Sequence, residues 1–307
     1  MHGSVALTVA LALAAGVLIQ CVARTIRVPA IILLLAAGVV VGPTVLGWVR
    51  PAELGNGLFL LVDFGVAVIL FEGALNLERG RLRREERAIR RLITWGALVT
   101  LAGAALAAWY WMGWPWPRAA LFGSLVVVTG PTVVGPLVRD LRLRPRLQTV
   151  LEAEGVLIDP IGAILAVLVL QLTLSPNALV VASEGWDLLL RFVVGLSVGV
   201  IGGLTIAGLL RLPQFVHGLE NVLTLALVML LFFLAENVVS QSGLLAVTSA
   251  GLVVGNLGSA VDEDLREFKD QLTVLMIGAI FILLAADIGL RDVMALGWPG
   301  LVVLLSL

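Results

Sequence analysis

Residues 148–171 read QTVLEAEGVLIDPIGAILAVLVLQ. That is the length of one membrane-crossing helix, since about 20 residues span a hydrocarbon core of about 30 Å. Yet this apolar run carries Glu152, Glu154, Asp159 and Pro160. The run just upstream, LVVVTGPTVVGP (125–136), is interrupted by Gly130-Pro131 and again by Gly135-Pro136. The rest of the chain says which solvent surrounds these residues. Of 307 residues, 60% are hydrophobic and 13% charged, and the mean hydropathy is +1.08. Apolar runs of membrane-spanning length follow one another from end to end, without the alternation a β-barrel needs. The fold class is therefore an all-α polytopic membrane protein embedded in a lipid bilayer. A net charge of −1 gives no footing for a nucleic-acid partner. The single cysteine, Cys21, excludes an internal disulfide.

Working outward, about 11 spans are expected, near 4–22, 28–49, 56–77, 92–112, 118–138, 148–171, 187–210, 219–238, 242–257, 271–290 and 298–307. The second is broken by Gly42-Pro43. The last reaches only about half the hydrocarbon thickness, so the chain is expected to stop inside a longer protein. The first lacks the basic n-region and cleavage site of a signal peptide, and Gln20 is too large to precede Cys21 in a lipoprotein box. With this span count, all of the 20 lysines and arginines except Arg50, Arg118, Arg191 and Arg291 fall on one side. That side is expected to be cytoplasmic and the N-terminus outside. The stretch RGRLRREERAIRR (79–91) is read as a solvated loop or interfacial helix.

An ionised side chain at mid-membrane costs from about 2.5 to above 10 kcal/mol. Intramembrane acids are therefore functional candidates. They are Asp63, Glu72, Glu154, Asp159, Glu236 and Asp287. Asp63, Glu236 and Asp287 also suit plain hydrogen-bonded or interfacial positions, and Glu72 is evenly balanced. Asp159 is the deepest. Glu152, seven residues earlier, shares its helix face, and Gly155, four earlier, leaves room beside it. Glu154 points about 140° away, toward a different partner. Pro160 cannot donate to the helix ladder and frees a carbonyl near Val156. Gly130 and Pro131 break the neighbouring span, and irregular backbone at that depth survives only when buried in protein or lining a polar cavity. A cation site is expected, built from the Asp159 carboxylate, Thr129 and freed carbonyls. A carboxyl held away from water binds a proton or a cation but not both well. Exposing it to each side in turn is enough to exchange H⁺ for Na⁺ or K⁺. No phosphate-binding glycine-lysine loop is present, and no cofactor is expected beyond the transported ions.

Four stretches, FEGALNL (71–77), VVVTGPTVVGPLVR (126–139), LEAEGVLIDPIGAILA (151–166) and SGLLAVTSAGLVVGN (242–256), resemble the monovalent cation/proton antiporter superfamily in its NhaP-type sodium/hydrogen exchanger branch. Where the family reads Thr-Asp-Pro, this chain has Thr129-Gly130-Pro131. Where it reads Glu-Ser-x-x-Asn-Asp, this chain has Glu154-Gly155-Val156-Leu157-Ile158-Asp159. The resemblance thus carries over Thr129, Pro131, Glu154 and Asp159. The absent second carboxylate implies one-for-one electroneutral exchange. The resemblance further implies an inverted-repeat fold of about 13 helices with discontinuous helices crossing at the site. Residues 1–171 would be the first six-helix repeat, 187–211 a linker helix and 219–307 an incomplete second repeat. Also implied are a homodimer, a bacterial inner (plasma) membrane location and a nucleotide-binding regulatory domain beyond this chain. The small residues of GLSVGVIGG (195–203) suit close helix packing.

Other functions remain open on the residues alone. A channel or uniporter could use the same broken helix without a protonatable group. An antiporter scaffold could serve as a non-transporting sensor. An intramembrane aspartyl protease would need a second facing aspartate. An organic-anion symporter would need a basic group in its pocket, whereas every arginine here maps to a loop or span end.

Overall fold

The computed structural model of the protein describes residues 4–26, 28–130, 143–174, 178–212, 218–257 and 263–306. Among them the secondary structure is helical. The helices are α1 (Ser4–Ile26), α2 (Ala30–Val41), α3 (Asn56–Leu75), α4 (Arg79–Arg91), α5 (Ala97–Met112), α6 (Trp116–Val126) and α7 (Pro145–Leu174). They continue with α8 (Ala178–Leu210), α9 (Glu220–Val238), α10 (Gly243–Leu257), α11 (Glu263–Asp287), α12 (Leu290–Ala295) and α13 (Gly297–Ser306). Each expected span holds a helix. Among the described residues, six helical runs are long and apolar enough to cross a membrane unaided, and four shorter apolar helices accompany them.

Two of these differ from the expected spans for local reasons. α2 stops at Val41, where Gly42 N–H bonds the Gly38 carbonyl and the chain turns back so that Trp48 and Val49 N–H both reach the Val41 carbonyl. Proline at 43 cannot continue the ladder, so the break falls where Gly42-Pro43 placed it. The basic stretch 79–91 is fully helical and runs through a π-turn at Leu92–Gly96 into α5. A continuous helix Arg79–Met112 of 34 residues is about 51 Å long against a core of about 30 Å. α4, about 20 Å of it, therefore projects past the hydrocarbon. At the other end of α5, Gly113 takes a left-handed C-cap (φ 65°). There Trp109 stacks on Trp116 with centroids 5.6 Å apart, the interfacial aromatic placement expected of a span end.

By packing, the residues fall into two units, Met1–Ile69 with Asp262–Gly297, and Leu70–Val261 with Trp298–Leu307. In the first, α1, α2 and α11 enclose Ala12, Leu34, Ile282 and Leu283. α1 and α11 touch backbone to backbone, since a Cβ on Gly278 would lie 2.9 Å from the Gly16 carbonyl carbon. Gln20 Nε2 donates to the Val274 carbonyl (2.8 Å) at the same crossing. In the second, Ala74, Leu77, Ile89, Ala153 and Val156 form the core beneath α4 and α7. Gly199 and Gly203 of α8 face Ala246, Ser249 and Ala250 of α10, and Gly195 faces Ser242 and Leu245. The small-residue stripe 195–203 thus serves packing within one chain.

Candidate functional site

α7 runs unbroken from Pro145 to Leu174 with Pro160 inside it. What Pro160 interrupts is therefore only the one hydrogen bond that proline cannot donate. Buried packing on both sides, by Val156, Ile158 and Ile164, holds the helix together through it. Asp159 sits at its midpoint, about 21 Å from either end. Gly155 is buried one turn before it.

α6 ends at Val126, four residues before Gly130, and Val128, Thr129 and Gly130 are non-helical. Two contacts fix where this segment lies. Thr129 Oγ1 donates to Glu154 Oε1 at 2.6 Å, and Val128 packs against Gly162, where any side chain would strike it. The irregular backbone therefore crosses α7 between Glu154 and Gly162, over the stretch that holds Asp159. Pro131, with Gly135 and Pro136, lies outside the described residues.

Glu154 is 8% exposed and accepts the hydrogen bond of the threonine hydroxyl. Asp159 Oδ1 is buried with no hydrogen-bond donor among the described residues. A buried carboxylate oxygen without a donor is costly, about 1–3 kcal/mol or more. Such an oxygen is a place for a proton or a dehydrated cation. With its own proton committed to Glu154, the Thr129 hydroxyl presents only lone pairs to a further ligand. Thr129 was expected beside Asp159; its observed partner is Glu154, the carboxylate expected to seek a partner elsewhere.

The remaining acids separate. Glu72 is buried on the last turns of α3. Its neighbour Gly73 contacts Val156 of α7, and Phe71 and Ala74 contact Gly251 of α10. Glu152 accepts from Gln148 Nε2 (2.9 Å) one turn back on its own helix. Glu236 accepts from the backbone N–H of Gln241 (2.7 Å) and Gly243 (3.2 Å), so it secures the entry to α10. That entry includes Gln241 at φ 70°. Asp287 is exposed at the end of α11, and Asp63 lies in the stretch of α3 assigned to the first unit.

Two residues near this unit's core were not expected to matter. Asn256 donates to the carbonyls of Leu77 (3.0 Å) and Leu252 (2.7 Å) and accepts from Arg79 N–H, pinning the α3–α4 turn to α10. Its signal was a lone amide closing the apolar run LVVGN. Arg191, expected at a span end, is 6% exposed and six residues inside the apolar stretch Gly185–Leu210. α8 begins at Ala178, well before the expected 187, so Arg191 lies inside the helix rather than at its end.

Replacing Thr129 by valine keeps the shape and removes the donor to Glu154. The expected result is a loss of about 1–3 kcal/mol in stability, read as a lower melting temperature in detergent. Serine at the same position should restore most of it.

The family model described as sodium/hydrogen exchanger, transmembrane, matches residues 9–307. A K(+)/H(+) antiporter NhaP2 of Shewanella sp. (strain ANA-3) is 24% identical over 95% of this chain and 51% of its own length. The Na(+)/H(+) antiporter 1 of Methanocaldococcus jannaschii is 28% identical over 96% of this chain and 71% of its own. The solved sodium proton antiporter MjNhaP1 from that archaeon, at pH 8, superposes with a TM-score of 0.80 at 27% identity, covering 97% of this chain and 73% of that one. The chain thus spans about half the length of the Shewanella relative. The family model matches this helical chain almost from end to end, and the protein is therefore a member of the sodium/hydrogen exchanger family.

Proposed function

We propose that the protein is a secondary antiporter that exchanges a monovalent cation, Na⁺ or K⁺, for H⁺ by competition at Asp159. The observation that carries this is the buried Asp159 Oδ1, without a donor among the described residues, at the middle of a helix crossed by irregular backbone. Relatives named for Na⁺ and for K⁺ exchange both support a monovalent cation. Asp159 is the alternating ligand, while Thr129 offers its oxygen and holds Glu154 in place. Gly130 keeps the crossing segment unwound, Gly155 leaves space beside Asp159, and Pro160 removes one backbone donor above it. Glu72 and Glu152 are accessory acids on neighbouring turns. With one carboxylate doing the exchange, the stoichiometry is one for one.

The larger frame belongs to the same reading. The basic ends of the helices face the cytoplasm and the N-terminus faces outward. The host membrane is the bacterial inner membrane. Residues 1–171 and 219–307 correspond to inverted repeats joined by the linker at 187–211, and the working protein is a homodimer with a nucleotide-binding regulatory domain beyond this chain.

The test uses the full-length protein in proteoliposomes under an imposed Na⁺ or K⁺ gradient, with lumenal pH as the readout. Antiport predicts a cation-driven pH change. It further predicts that the apparent KM for the cation rises as pH falls, approaching about tenfold per pH unit once protons occupy the site. Cation flux with no pH change would favour the channel reading. Absence of both would favour a sensor.

A further inference from the structure

We propose that the groove between α4 and α7 is a binding site for an anionic phospholipid. The stretch 79–91 carries seven arginines and two glutamates. At helical spacing, Arg79, Arg83 and Arg90 form one stripe and Leu82 and Ile89 the stripe beside it. In the structure these two stripes, with Leu157 of α7, line an open pocket of about 530 Å³. Ile89 is buried and belongs to the core that includes Ala153 and Val156, so the pocket floor is apolar and continuous with the packed interior.

The rim is positive for a structural reason. Of the carboxylates near α4, Glu78 pairs with Arg81 at 2.9 Å and Glu85 with Arg146 at 2.7 Å, neither arginine lining the groove. Within the groove Glu86 meets Arg90 only at 3.9 Å with both side chains mostly exposed, a pair of little strength. Arg79 and Arg83 have no ion-pair partner among the described residues. α4 projects past the hydrocarbon end of α5, which sets these guanidinium groups at headgroup depth. A guanidinium fork matches phosphate, and the apolar floor suits an acyl chain, which a soluble phosphate would not use. Basic pockets between spans at this depth take anionic headgroups. Leu157 lies between Glu154 and Asp159 on α7, so an occupied groove touches the ion-site helix. That last consequence rests on the function proposed above; the binding does not.

The experiment compares lipid retained by the full-length protein, read by native mass spectrometry after mixed phosphatidylglycerol and phosphatidylcholine vesicles, for wild type and two charge-matched variants. One is Arg79→Gln/Arg83→Gln/Arg90→Gln in the groove. The other is Arg84→Gln/Arg87→Gln/Arg91→Gln on residues of the same helix outside the groove. The single Arg83→Gln serves where the first triple does not express. The expected result is a preference for phosphatidylglycerol of about tenfold or more, lost in the groove variant and kept within about twofold in the other. Equal loss in both variants would assign the effect to diffuse charge and overturn the site. So would an unchanged groove variant, or competition by free glycerol phosphate as effective as the lipid. Cation-driven pH change is measured on the same samples. Exchange without selective lipid retention would sink the lipid site alone, and selective retention without exchange would sink the antiport reading alone.

Discussion

Asp159→Asn is expected to abolish cation-driven pH change in proteoliposomes, by about 100-fold or more, while leaving the protein folded. Asparagine keeps the shape and polarity of aspartate and loses both the negative charge and the capacity to bind and release a proton. At the midpoint of α7 that capacity is the whole of the proposed exchange. Asparagine carries no charge to strip of water, so a buried position whose Oδ1 lacks a donor should accept it without a stability cost. A melting temperature at or above that of wild type, together with lost exchange, is the combination that separates a transport role from a structural one. Exchange that survives would move the site elsewhere in the unit, toward Glu154 or Glu72. Cation flux that survives without proton movement would return the channel to first place.

The second large effect is structural. Gly251→Leu is expected to destabilise the protein by about 3 kcal/mol or more, seen as a fall of several degrees in melting temperature or as loss of expression. A Cβ at Gly251 would press into the Phe71 carbonyl and lie 2.9 Å from the Ala74 Cβ. Those are the backbone and a short side chain of a packed helix, neither of which can swing away. The same turn of α3 carries Glu72 and rests through Gly73 on Val156, so displacing it should also reduce exchange. Gly251→Ala should show a graded loss. Gly208→Ala is the control. Gly208 meets nothing within 4 Å, so the substitution should be neutral or stabilising by up to about 1 kcal/mol through helix propensity. Equal effects at 251 and 208 would remove close helix approach as the cause.

Much of this molecule was legible before its structure. Runs of membrane length fix themselves because an isolated backbone in lipid has no partner but its own helix. The turn at Gly42-Pro43 was legible because proline acts locally. The depth of Asp159 needed only counting at about 1.5 Å per residue. Glu154 and Asp159 stood out as candidates because ionisable groups are rare and costly in such runs, and Thr129 because it adjoins the Gly130-Pro131 break.

What the tertiary structure decided was pairing. Nothing local tells Thr129 to bond Glu154 rather than stand beside Asp159; that depends on where the segment after α6 crosses α7. Glu236 looked like its fellow acids until the chain folded back and brought the Gln241 and Gly243 amides to it. The glycines 195, 199 and 203 could have faced another subunit, and α10 of the same chain occupies them instead. Arg191, inside a helix that begins at Ala178, is buried rather than set at a span end. Hydropathy, length and backbone breaks are properties of one segment in its solvent, and they can be read one segment at a time. Which segments meet, and which donor each carboxylate finds, is set by packing among residues far apart in the chain, and only the assembled bundle holds that information.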